Sequence, residues 1–170
     1  MTGWPGVGAR VEPASKLKEV THIEQVAEFL KSQGTLTLAT SAEDGTPFAA
    51  PLFYLADSRM GLYWLSSASS RHSRNLKRQA EAAVSVCAPT EDWKQIRGVQ
   101  MRGHVTVVAA RSGRLEIVEA YCARFQLGPS FQAAITRSRL YRFQPQWVRY
   151  LDNSKRFGYK FEFAVNSNGE

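Results

Sequence analysis

The sequence predicts an α+β protein built on an antiparallel β-barrel of about six or seven strands. Most of the chain after residue 35 alternates apolar and polar residues with a period of two, which is typical of half-buried strands. Short turn signals such as Glu43–Pro47 and Ala56–Arg59 separate these stretches and indicate hairpins. Helical periods occur at the start, after the third strand and after the longest strand, without the sustained strand–helix alternation of a parallel sheet.

Length and composition favour one globular domain. The chain has 170 residues, of which 44% are hydrophobic and 22% are charged. Residues 1–20 are rich in glycine, proline and small residues without a clear period, so we expect a flexible N-terminal arm followed by a domain over residues 21–165. No apolar run approaches the roughly 20 residues that span a bilayer, and we expect a cytoplasmic protein that does not bind membranes.

The first half of the domain opens with a predicted helix over His22–Gln33. Thr21 and Glu24 have the spacing of a capping box, the apolar side chains recur every three or four residues, and Gly34 follows the last turn. Alternating residues then predict a meander of three antiparallel strands, over Thr35–Thr40, Phe48–Leu55 and Met60–Ser66.

The second half alternates helices with longer strands. Glycines inside the longest of these strands, Gly98 and Gly103, predict bulges or barrel corners. The predicted helices cover Ser69–Ala80 and Ser112–Gln126, with a helical turn over Phe131–Thr136, and the predicted strands cover Ala82–Ala88, Gln95–Ala110, Leu140–Leu151 and Phe157–Phe163.

Cysteine and histidine usage argues against a metal centre. Cys87 and Cys122 each lie in an apolar periodic stretch, so we expect two buried, reduced thiols. Neither has a second cysteine or a histidine at ligand spacing, and the three histidines are scattered.

The charge balance predicts an anionic partner. There are 22 basic and 15 acidic residues, a net charge of +7. Four basic residues fall within Arg71–Arg78 without an acidic residue among them. No recognition helix or basic groove with stacking aromatics accompanies them, so we expect no specific nucleic-acid binding.

A candidate phosphate site follows the third predicted strand. The strand ends in a run of serines, and Arg71 comes at the start of the next helix. Hydroxyl groups, the free amides of a helix N-terminus and a guanidinium together bind phosphate well. An ordinary serine cap on a solvated basic helix explains the same residues about equally well.

The order of several weak motifs resembles a known family. Gly45-Thr46-Pro47, the following Ala50–Tyr54, Leu62–Ser66 and the Ser70-Arg71-His72 segment with Asn75-Leu76 resemble the FMN-binding split barrels related to pyridoxamine phosphate oxidase. The segment Ile96–Gly103 is similar to the long strand of that family. Tyr121, Arg124-Phe125, Trp147, Asp152-Asn153 and Phe157 to Lys160 resemble a small bacterial subgroup of it. The resemblance spans Ile23 to Phe163.

This resemblance implies an antiparallel split β-barrel with flanking helices and a homodimer with two FMN sites at the subunit interface. It implies that the isoalloxazine ring of FMN lies near the second strand and that the FMN phosphate lies at the serine run. It also implies that residues of the long strand approach the ring or the phosphate from the partner subunit. Lys160 and Arg102 are candidates for a positive group that favours reduced, anionic flavin. The implied cofactor residues are Ala50, Pro51, Leu52, Phe53, Ser66, Ser67, Ser70, Arg71, His72, Gln100, Arg102 and Lys160.

Two function classes stay open at this point. The first is an FMN-dependent oxidoreductase acting on a small molecule. The second is a non-catalytic protein that binds or senses flavin, deazaflavin or haem, with His104 as the candidate haem ligand. The second strand carries no basic residue and the chain ends without the C-terminal substrate motif of the oxidase, which disfavours oxidation of pyridoxamine phosphate itself.

Overall fold

The computed structural model describes the backbone of residues 14–109 and 113–165, and the side chains from residue 21 onward within these ranges. The predicted arm before residue 14, the end of the strand at Ala110 and the start of the helix at Ser112 lie outside the described residues.

The architecture is a curled antiparallel sheet with flanking helices, which confirms the predicted α+β split barrel. The strands are β1 (Thr35–Ser41), β2 (Pro47–Phe53), β3 (Leu55–Ala56), β4 (Leu62–Ser67), β5 (Glu81–Cys87), β6 (Arg97–Val107), β7 (Ser138–Asp152) and β8 (Lys160–Ala164). Their order in the sheet is β2-β1-β5-β6-β7-β4-β3, with β8 also paired to β7. The long β7 pairs with β4 through its first half and with β8 through its second.

Four helices flank the sheet: α1 (Ala14–Ser32), α2 (Arg71–Arg78), α3 (Arg114–Arg124) and α4 (Gln132–Arg137). The helix α1 begins at Ala14, eight residues before the predicted start at His22, so Thr21 and Glu24 lie inside it and do not form its capping box. No described helix is long and apolar enough to cross a membrane.

The core lies on the inner face of the curled sheet, where the period of two places every second side chain. In β1 the residues Leu36, Leu38 and Thr40 are buried while their neighbours are exposed. The same alternation buries Val84 and Val86 in β5 and leaves Cys87 exposed. Cys122 is half-buried, so the expectation of two buried thiols is wrong.

The prediction of a three-strand meander is wrong for the third strand. The strands β1 and β2 form a hairpin, but β4 pairs with β7 and with the two-residue β3. Tyr54 explains the break after β2, because it is fully buried and its hydroxyl donates to Leu30 O at 2.7 Å. The chain then turns at Asp57, whose amide donates to Gly61 O, and β4 begins after this turn, between β7 and β3 in the sheet.

The bulge predicted at Gly103 is confirmed. The pairing of β6 with β7 shifts register between Arg102 and Gly103. A Cβ atom at Gly103 would overlap the backbone carbonyl oxygen of Gln144, so the two strands approach too closely for any other residue. The last strand starts at Lys160 and not at Phe157, because the preceding residues form a turn closed by Gly158 N donating to Asn153 Oδ1.

Candidate functional site

The serine run and the start of α2 form one hydrogen-bonded cluster. The imidazole Nε2 of His72 lies 2.7 Å from Ser66 Oγ and 3.0 Å from Ser70 Oγ. Ser70 is the N-cap of α2, and its Oγ accepts from the amide of Ser73. The polar side chains at the end of β4 and in the first turn of α2 therefore meet around the Nε2 atom of His72.

The hydrogen-bond pattern assigns the protons within this cluster. Ser70 Oγ donates its only proton to Ser73 Oγ at 2.8 Å. The contact between Ser70 and His72 then needs the proton on Nε2, so the imidazole is the donor. The Ser66 hydroxyl accepts from the same Nε2–H and donates its own proton to Ser70 Oγ at 3.3 Å.

His72 is buried and neutral. Its side chain is on the inner side of α2, and burial lowers its pKa from the ordinary value of 6.5. An anion bound to the cluster would stabilise the protonated imidazole, because a nearby negative charge favours the charged form.

Arg71 is exposed at the first position of α2. Its guanidinium carbon lies 5.4 Å from the centre of the Phe48 ring on β2, so the side chain rests against the hairpin. The first-turn amides of Arg71 and His72 have no intrahelical acceptor and carry the positive end of the helix dipole. The first-turn amides, the serine hydroxyls and the Arg71 guanidinium are thus all at the start of α2, where Ser70 is also the helix cap of the alternative interpretation.

Ser67 has a different environment from the other serines. Its Oγ lies 2.8 Å from Ser69 Oγ and accepts from the Ser69 amide, on the exposed side of the turn. Ser67 therefore stabilises the turn between β4 and α2. It follows Ser66 in sequence but is not part of the hydrogen-bonded cluster around His72.

Asn75 anchors α2 to the sheet, a role that the sequence analysis did not assign to this motif residue. Its Nδ2 donates to Thr40 Oγ1 at 3.0 Å, and both side chains are buried. The two residues are 35 positions apart, and a single asparagine on a polar helix gives no signal of such a partner. This bond fixes how α2 sits on β1.

The predicted ring-binding strand presents two faces. Ala50 and Leu52 point toward the core, and Ala50 is 7% exposed, whereas Pro51 and Phe53 point outward. The ring of Phe53 lies 4.8 Å from the ring of Phe125. The side chains of the four residues therefore lie on two faces of the strand, and a ring on one face would contact the side chains of two of them.

The remaining predicted residues occupy two separate hollows on the outer face of the sheet. Gln100 and Lys160 line a cavity of about 290 Å³ together with Arg149 and Cys87. Arg102 lines a groove of about 710 Å³, and its guanidinium carbon lies 4.8 Å from the centre of the Trp147 ring. Gln100 and Arg102 are thus neighbours on β6 but face different spaces.

No metal centre is formed within the part of the chain that the structure describes. Those residues contain no group of three or more histidine, cysteine, aspartate or glutamate side chains able to hold an ion. The donor set of the His72 cluster, hydroxyls and a protonated nitrogen, suits an anion.

Sequence comparison decides the family. The model of the family described as pyridoxamine 5'-phosphate oxidase matches residues 23–152. The chain belongs to the pyridoxamine 5'-phosphate oxidase family. A UPF0306 protein from Serratia proteamaculans is 27% identical over 143 residues, which are 83% of this chain and 94% of that protein.

Solved structures of this family's fold are similar over most of the chain. A conserved hypothetical protein from Mycobacterium tuberculosis superimposes with a TM-score of 0.68 at 20% identity, covering 85% of this chain and 92% of that one. A haem-binding protein from Mycobacterium smegmatis gives a TM-score of 0.62 at 19% identity, covering 91% and 59%. At these identities the likeness shows the shared fold.

Proposed function

We propose that the protein is an FMN-binding homodimer and a flavin-dependent oxidoreductase that acts on a small molecule. The observation that carries this proposal is the cluster of Ser66, Ser70 and His72 at the start of α2, with Arg71 beside it. Membership in the pyridoxamine 5'-phosphate oxidase family supports flavin as the ligand of this cluster.

The cluster holds the phosphate of FMN. The first-turn amides of α2 point their hydrogens toward the anion, the Ser66 hydroxyl turns its proton from Ser70 to the phosphate, and Arg71 adds a charge-assisted contact. His72 keeps Ser66 and Ser70 in place through its Nε2–H and is positioned to become charged when the phosphate arrives.

The outward-facing side of β2 receives the isoalloxazine ring. Pro51 and Phe53 offer an apolar surface there, while Ala50 and Leu52 pack inward and hold the strand against the core. FMN supplies the hydride chemistry when bound, and the protein supplies orientation and electrostatics. Reduced, anionic flavin is stabilised by positive charge, which Lys160 provides in the smaller cavity, while the charge of Arg149 is paired with Glu162.

The outer face of the sheet is the proposed dimer interface. Its central rows consist of small exposed residues from β2, β1 and β5, which pair in register across the three strands. A flat surface of small side chains packs closely against a second copy across a two-fold axis. The rows comprise Pro51, Thr37 and Ser85, and Ala49, Ala39 and Ala83.

The second copy completes the flavin site in this proposal. Gln100 and Lys160 lie on the outer face in one cavity, so they reach a ring bound by the partner chain. Arg102 faces a different groove and is not included.

Titration with FMN tests the proposal. FMN should bind at micromolar concentration with a shifted flavin absorption, and light scattering should give twice the chain mass of 19.0 kDa. If neither FMN nor a deazaflavin binds, the proposed flavin function is wrong. Binding without turnover of a nicotinamide nucleotide and an electron acceptor would favour the non-catalytic carrier or sensor.

Haem binding is the second candidate function, and the setting of His104 favours it. This histidine is on the outer face of β6, its side chain is 45% exposed, and its Nδ1 lies 3.9 Å from Glu81 Oε1. The Glu81 carboxylate puts negative charge beside Nδ1, at a distance longer than a hydrogen bond, and Nε2 is the ring nitrogen that would meet a metal. One solved neighbour is a haem-binding protein. A Soret band that is lost in His104→Ala would establish this function in place of the flavin one.

A further inference from the structure

The curled sheet has a gap between β2 and β4. Among the described strands, β2 pairs only with β1, and β4 pairs with β7 and with the short β3. The register of β3 with β4 places Leu55 opposite Tyr63. Continued by two residues along each strand, this register would place Phe53 opposite Leu65, but the pairing covers only the two residues of β3. The ends of β2 and β4 therefore come close to a backbone pairing that they do not make.

The end of β2 directs a carbonyl group into this gap. The amide of Tyr54 donates to Gly34 O at 3.1 Å, on the side of β1. The carbonyl of Phe53 belongs to the same trans peptide group, so it points in the opposite direction, away from β1. Phe53 O is therefore turned to the side where β2 has no neighbouring strand.

Tyr121 of α3 places its hydroxyl group in the gap. The side chain is 6% exposed, and its hydroxyl donates to Phe53 O at 3.2 Å. Burial raises the pKa of Tyr121 to about 12, against the opposing effect of the Leu65 amide, which faces the same oxygen. The hydroxyl therefore keeps its proton and remains a donor. The ring of Phe125 lies 4.8 Å from the rings of both Phe53 and Tyr121, so α3 also packs on the end of β2.

Two arginines hold α3 in this position. The Nη2 atom of Arg124 donates to Lys31 O and to Gln33 O, both at 2.8 Å, so the guanidinium caps the C-terminal end of α1. At the other end of α3, Arg114 Nη2 donates to Ser138 O at 3.3 Å, at the start of β7. The helix that carries the hydroxyl is thus attached to two other elements of the fold.

We propose that Tyr121 is a positioning residue that sets the separation of the two halves of the cofactor site. This inference rests on the proposed flavin function, in which the ring lies on β2 and the phosphate binds beside Ser66. Phe53 belongs to the ring-binding surface, and Leu65 directly precedes Ser66 on β4. The hydroxyl therefore connects the strand that receives the ring with the strand that supplies the phosphate cluster.

The three ligands FMN, riboflavin and inorganic phosphate distinguish positioning from a general effect on the fold. FMN occupies both halves of the site at once, so its affinity depends on their separation. Riboflavin uses only the ring surface, and inorganic phosphate uses only the cluster. A residue that fixes the separation should affect FMN alone, whereas a residue that only stabilises the fold should affect all three.

Titration of Tyr121→Phe with these three ligands tests the proposal. The affinity for FMN should fall at least about 10-fold, because linked groups gain affinity only while their subsites are held at the right separation. The affinities for riboflavin and for inorganic phosphate should hardly change. Tyr150→Phe is the matched control, because it removes a buried hydroxyl that lies 3.3 Å from Asp152 Oδ2 and belongs to neither β2 nor β4. This variant should retain all three affinities.

Hydrogen exchange of the Leu65 amide measures the same connection in the free protein. Tyr121→Phe should raise the exchange rate of this amide by about 10-fold, because the ends of β2 and β4 then separate more easily, and Tyr150→Phe should leave it unchanged. If Tyr121→Phe does not fold, Arg124→Gln takes its place. It loosens α3 from α1 at an exposed position and should lower the affinity for FMN relative to riboflavin.

Two results would overturn the proposal. Equal losses of affinity for all three ligands would show that Tyr121 only stabilises the fold, and an unchanged affinity for FMN would show that its hydroxyl does not position the site. If the wild-type protein binds no flavin, the proposed function is wrong, and exchange of the Leu65 amide still decides whether Tyr121 connects β2 with β4.

Discussion

Replacement of Arg71 by alanine is the most direct test of the phosphate cluster. The side chain is exposed at the start of α2 and rests on the Phe48 ring, so its loss should change the free energy of unfolding by no more than about 0.5–1 kcal/mol. A hydrogen bond to a charged group contributes roughly 1.5–3 kcal/mol, so the affinity for FMN should fall about 10- to 150-fold. Arg71→Lys should recover part of it, because an ammonium keeps the charge but loses the two-pronged geometry.

The assay is flavin fluorescence titration with FMN and riboflavin in parallel. Riboflavin lacks the phosphate, so its affinity should hardly respond to Arg71→Ala. Arg78→Ala removes the same charge from the other end of α2, where the guanidinium pairs with Glu43, and controls for net charge. Equal losses for FMN and riboflavin in Arg71→Ala would refute the assignment of the phosphate to α2.

Three further predictions concern the free protein and can be checked by urea unfolding. Burial lowers the pKa of His72, so the native state disfavours protonation of this imidazole. The free energy of unfolding should therefore fall as the pH drops below about 6.5, and His72→Gln should show a smaller fall between pH 7.5 and 5.5. Asn75→Ala should cost about 1–3 kcal/mol by leaving Thr40 without its buried donor, and a double-mutant cycle with Thr40→Val should show coupling between the two. Gly103→Ala should cost roughly 1–3 kcal/mol through overlap with the next strand, whereas Gly128→Ala, with open space around its Cβ position, should be nearly neutral. Similar stabilities for the two glycine variants would contradict the close approach at the bulge.

The sequence by itself determined the faces of the strands and the local chemistry of the turn before α2. Alternation in β1 and β5 specified which side chains face the core, because the side-chain period of a strand is two. A serine cap at the start of α2 was one of the two interpretations of this segment, because capping depends on neighbours within a few residues. The bulge at Gly103 was predicted for the same local reason.

The tertiary structure alone decided which strands are neighbours and which candidate residues share a space. Burial of Tyr54 under α1 ended β2 and sent β4 to pair with β7, a choice that periodicity within either strand does not encode. Ala50 and Pro51 face opposite sides of β2, because side chains alternate along a strand. Gln100 and Arg102 line different cavities, which depends on how the strands pair. Contacts between residues far apart in sequence depend on how whole elements pack, so they follow from the assembled sheet and not from any local pattern.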